Sequence, residues 1–173
     1  MVALLCLSAG ESPAEQPDGV LGALVSAASN APEPMHEGIA KTYRASTLRP
    51  DGLKACILLA HGIDRTLAET EGTRAALRRL DDRIAEAGPR LNALAAAGLT
   101  DKAKRAEYEA GLTEYNGHVE ERASIAADHN RRVREYGEMA ARFETNCNGR
   151  AFFPSDLAAL RAELPAEVLA RLK

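Results

Sequence analysis

From residue 50 onward, apolar residues recur at alternating steps of three and four, the spacing of one face of a helix. The first series reads Cys56, Leu59, Ile63, Thr66, Thr70, Thr73, Leu77, Leu80, Ile84, Ala87, Leu91, Leu94. Its ends are apolar and its middle is threonine. Pro50 and Asp51 mark the start, because proline fits the first helical position and a carboxylate suits the positive end of the dipole. Gly88-Pro89 falls inside the series and predicts a kink or brief break. Gly98 reads as a stop, and Thr100-Asp101 as the next N-cap and first turn. A second series reads Leu112, Tyr115, Val119, Arg122, Ala126, His129, Val133, Tyr136, Ala140, Phe143, Cys147, with Gly149 as its stop.

Two helices of similar length joined by a short turn predict an antiparallel, coiled-coil-like hairpin with arms of roughly 60 Å. Folding at residues 98–101 sets Cys56 opposite Cys147, Ile63 opposite Ala140, Ile84 opposite Val119 and Leu91 opposite Leu112. The threonine stretch then meets His129, Asn130 and Val133. Both stripes end in cysteine at one level, which points to a Cys56–Cys147 disulfide in an oxidising compartment. The alternative is a pair of reduced core thiols.

After Gly149 come Phe152, Phe153 and a short helix with Ser155 as its N-cap. Pro165 breaks that helix, and Ala166 opens a last turn or two. These pieces are expected to fold back over the base of the hairpin and bury the phenylalanines. The predicted fold is therefore all-α: a long hairpin with short terminal helices packed at its base, over residues 46–173.

The chain begins differently. Met1 to Gly10 is apolar but far short of the roughly 20 residues that span a bilayer. Residues 1–14 read as an export signal lacking its charged n-region. A lipid anchor through Cys6 is the weaker reading, because Leu5 is bulky where a small residue is used. Residues 15–45 read as a flexible linker rich in Pro, Gly, Ser and Asn. Within it, Val20 to Ala28 could form a short helix with nothing to fix its partner, so residues 1–35 are expected to add nothing to the core.

Composition narrows the function. The chain has 173 residues, 46% hydrophobic but only 4% aromatic, with no Trp. That suits helices over a sandwich or a doubly wound sheet. With 22 basic against 25 acidic residues the net charge is −3, so no basic excess points to nucleic acid or an anionic membrane. No Gly-x-Ser-x-Gly elbow and no phosphate loop after a strand is present.

Several histidines could carry chemistry. His129 falls in the threonine layer, where a polar layer commonly fixes register. His118 lies one turn from Glu114 and three residues from Glu121, which reads as surface ion pairing. His61 and Asp64 read the same way. Glu33-Pro34-Met35-His36 has metal-motif spacing, but a proline interrupts it and no second copy exists. No metal and no cofactor is implied. Asn116 and Asn130 flank the inner stripe and are expected to hydrogen-bond across the pair, with a glycan- or peptide-binding row as the outside alternative.

The segments Thr47-Leu48-Arg49-Pro50-Asp51-Gly52-Leu53-Lys54-Ala55-Cys56 and Phe143-Glu144-Thr145-Asn146-Cys147-Asn148-Gly149-Arg150-Ala151-Phe152-Phe153, followed by Asp156, resemble a recurring pattern in uncharacterised exported proteins of proteobacteria. Tyr115-Asn116 and His129-Asn130 lie between them. The resemblance covers about residues 45–160. It implies export and a disulfide-tied hairpin, and it implies no activity.

The sequence thus predicts a non-enzymatic interaction or scaffold protein, periplasmic or secreted, acting on a protein partner or on itself, with a homodimer among the options. The expected surface includes Leu67, Ile125, Met139, Arg150 and Phe152, with Ile125 and Met139 standing off the inner stripe. The alternative is a small-molecule or metal binder using the polar mid-shaft.

Overall fold

A computed structural model of the chain describes residues 19–27 and 41–172. The export-signal reading, Cys6, and the Glu33-x-x-His36 spacing lie outside these residues. Among the described residues five helices follow in order: α1 Gly19–Ala27, α2 Pro50–Ala96, α3 Lys102–Asn146, α4 Pro154–Leu160 and α5 Ala166–Leu169. Among the described residues the only β-type pairing is an isolated parallel bridge, Thr47 with Ala151. The two long helices pack against each other, so the fold is the expected all-α hairpin.

Local chemistry sets the boundaries. Gly98 takes a φ of 84° and Gly149 one of 67°, the left-handed region that favours glycine after a helix. Asp101 caps α3 through its carboxylate, which accepts from the Ala103 backbone N–H at 2.8 Å. The short C-terminal helix starts one residue before the expected cap. Pro154 holds the first position and Phe153 the cap position, with no side-chain cap bond.

The expected break at Gly88-Pro89 does not occur, and α2 runs through Pro89 unbroken. Proline removes one N–H, which orphans the Ala85 carbonyl. Both Ala85 and Pro89 are exposed, so water can take that carbonyl at little cost.

The described residues form two compact units. One gathers the chain through His61 with Asn146 and all that follows. Its core holds Leu48, Leu53, Ile57, Cys147, Phe152 and Val168, all under a tenth exposed. Cys56 and Cys147 form a disulfide with Cα atoms 5.6 Å apart. The Leu48 N–H donates to the Ala151 carbonyl at 2.8 Å, and the Ala151 N–H to the Ser46 carbonyl at 3.0 Å. The phenylalanines are buried as expected, each contributing about 1.5–3 kcal/mol.

One expectation for this unit fails. Residues 19–27 are a helix, and Leu21 and Leu24 are buried at 0% and 5% exposure. They lie three residues apart on one face, a pattern too short to register as periodic. The segment read as linker therefore supplies core.

The other unit is the shaft, Gly62–Thr145. All twelve positions of the first stripe are buried or half-buried, as expected. Of the second stripe, Leu112, Val119, Arg122 and Val133 are exposed, with consequences for function.

Candidate functional site

Helix α3 contains no buried residue. Its half-buried residues include Tyr108, Gly111, Tyr115, His118, Ile125, His129, Arg132, Tyr136, Met139 and Phe143. With Arg122 filling one gap, they again step by three and four. Tyr115, Arg122, His129, Tyr136 and Phe143 belong to both this series and the expected one. Three of the alternate positions are displaced by one residue. Gly111, His118 and Arg132 are half-buried where Leu112, Val119 and Val133 were expected, while Ala126 and Ala140 stay half-buried beside Ile125 and Met139.

Contacts within the shaft fix this rotation. A Cβ on Gly111 would meet Leu91 at 3.0 Å, so the missing side chain makes a socket for leucine. Met139 sulfur lies 3.4 Å from the place of a Cβ on Gly62. The Arg132 guanidinium reaches Glu69 on α2, and Arg122 reaches Asp81. Ile125 and Met139 are thus inner residues, not the outward pair expected.

The polar layer forms in part: His129 meets the threonines, whereas Asn130 and Val133, expected beside it, are exposed. Thr73 Oγ1 lies 2.9 Å from His129 Nδ1, and the Thr73 hydroxyl also donates to the Thr70 carbonyl at 2.9 Å. Thr70 in turn donates to the Thr66 carbonyl at 2.7 Å. His118 lies 3.6 Å from Glu114, but it is 17% exposed and turned toward α2 rather than on the surface. Asp64 is 6% exposed, which corrects its reading as a surface residue. Asn116 and Asn130 are exposed and make no hydrogen bond across the pair, because the rotation carries them outward.

The rotation leaves an apolar row outside. Leu112, Val119 and Val133 are 37%, 40% and 46% exposed, three of the five exposed large hydrophobics among the described residues. Ala126 and Ala140, both half-buried, continue their seven-residue spacing. Leu67 on α2 is 42% exposed, as expected.

Beside Gly111 an open groove of about 590 Å³ is lined by Arg83, Arg90, Glu107, Glu114 and His118, among others. Within it Arg90 pairs with Glu107 at 3.1 Å, and His118 lies 3.6 Å from Glu114. Among the described residues no three His, Cys, Asp or Glu side chains are grouped to hold a metal ion. No helix there is long and apolar enough to cross a membrane.

In the disulfide-bearing unit, Phe152 is 1% exposed and so is core rather than surface. The Arg150 guanidinium donates to the Ala45 carbonyl at 3.0 Å, closing a loop. Asp156, 6% exposed, accepts from Lys41 at 2.5 Å and from the Tyr43 hydroxyl at 2.9 Å. Tyr43 packs edge-on against Phe153 with ring centres 5.4 Å apart. Lys41 lies 5.4 Å from that ring centre. Sequence reading missed Lys41 and Tyr43 because both fall in the proline-rich stretch taken for linker.

No family model matches this chain, and neither a curated protein nor a solved structure does.

Proposed function

We propose that this chain is an exported, non-enzymatic interaction or scaffold protein that works through the outward face of α3. The carrying observation is the row Leu112, Val119 and Val133, left exposed at heptad-related spacing by the rotation of the helix. Large exposed apolar side chains scattered singly mean little, but an aligned row on a rigid helix is a docking face. The disulfide supports a periplasmic or secreted location, since such bonds persist in oxidising compartments. The Thr73–His129 bond gives the mid-shaft histidine a structural partner, which favours interaction over the small-molecule or metal-binding alternative.

The test is photo-crosslinking in producing cells, with a photoreactive residue at Val119, at Val133, or at Glu71 on α2. Protein adducts from Val119 and Val133 but not from Glu71 are expected. No protein adduct from either valine position overturns the reading.

A further inference from the structure

We infer that the occupant of the outward α3 face is a second copy of this chain, paired antiparallel through α3. This inference rests on the interaction reading above and names its partner. The row of Leu112, Val119, Ala126, Val133 and Ala140 has a companion row one position around the helix: Asn116, Ala123, Asn130 and Gly137. Together they step by four and three from residue 112 to residue 140, an unbroken heptad seam. All are exposed or half-buried, and none is charged. The seam is about 42 Å long.

Size complementarity selects the orientation. Centred near residue 128, an antiparallel copy sets Val119 against Gly137 and Val133 against Ala123. The same register sets Asn116 against Ala140 and Asn130 against Ala126. Each of these four layers, between residues 116 and 140, places a larger side chain on a smaller one, as close packing requires, and Leu112 lies beyond the paired span. A parallel copy stacks each residue on itself, with Gly137 on Gly137 and Ala123 on Ala123, and leaves gaps.

Charge selects the same register. Glu120 and Arg134 border the seam on one side, both exposed and with no ion pair inside the chain among the described residues. In the antiparallel register Glu120 of each copy meets Arg134 of the other, giving two symmetric pairs. A parallel register sets Glu120 beside Tyr115 and Arg134 beside His129, with no ion pair. The other border of the seam is neutral or already engaged, Arg122 with Asp81 and His129 with Thr73.

The test uses the full chain at several concentrations. Light scattering should show a dimer, and Val133→Glu should make it monomeric with helicity unchanged. Glu120→Arg and Arg134→Glu should each weaken the dimer by about tenfold, and the double exchange should restore it. Mixing Glu120→Cys with Arg134→Cys and adding a short bis-maleimide should link residue 120 of one copy to residue 134 of the other. A protein monomeric at every concentration overturns the inference. If valine-position adducts to a different chain persist in cells, the interaction reading survives and only its partner changes. A dimer that fails to crosslink 120 to 134, or whose double exchange stays weak, overturns the antiparallel pairing.

Discussion

Asp156 is held by two residues 115 and 113 positions away in sequence, Lys41 and Tyr43. A nearly buried carboxylate would be costly alone, and this pair of donors offsets that cost. The same contact acts on Tyr43, whose phenol is raised above its ordinary pKa, first by burial and then by donating to Asp156. A raised value means the folded state holds the proton more tightly than the unfolded chain does. That contribution is complete below the ordinary phenol value and is lost as pH rises through the raised one. Tyr43→Phe should cost about 1 kcal/mol at neutral pH and flatten the alkaline loss of stability. Denaturant unfolding from about pH 8 to about pH 11 reads both effects. An alkaline slope identical in the variant and the parent would rule out Tyr43 as its source.

At the scale of the element, the two long helices differ in how far hydrophobicity alone could place them. On α2 the apolar ranking and the packing agree, so all twelve stripe positions were legible. On α3 they disagree. Leu112, Val119 and Val133 outrank Gly111, His118 and Arg132 in hydrophobicity, yet the latter face α2. What decides is shape: Gly111 receives Leu91, and Met139 fits over Gly62. Pattern reading has no term for a socket, so it took the seam proposed here as outward for the inward one. Gly117 is helical and has nothing near the place of its Cβ. Gly117→Ala should therefore stabilise the shaft by up to about 1 kcal/mol through backbone entropy. A melting temperature unchanged or lowered would contradict this. The docking of α1 was missed for another reason: a short helix was legible, but nine residues offer too few turns to show a buried face, and its neighbouring prolines argue for a linker. Leu21→Ala should cost about 2–5 kcal/mol, read from chemical denaturation. A loss under about 0.5 kcal/mol would mean Leu21 is not core.

For the whole molecule, the disulfide does more than limit the unfolded ensemble. Cys56 and Cys147 are 91 positions apart and covalently joined. Consider tension applied to the chain before Cys56 and after Cys147. The load crosses from one strand to the other through the sulfur atoms and bypasses everything between them. The shaft, with its threonine layer and α3 seam, is thereby a mechanically silent loop. Stretching an oxidised molecule between handles outside the two cysteines should release only the outer segments. Reduction should add a further contour length of about 300 Å at about 3.4 Å per residue. An equal release with and without reductant would refute it. The α3 face proposed for docking would thus stay folded while the rest of the chain is under strain, held at one end and pulled at the other.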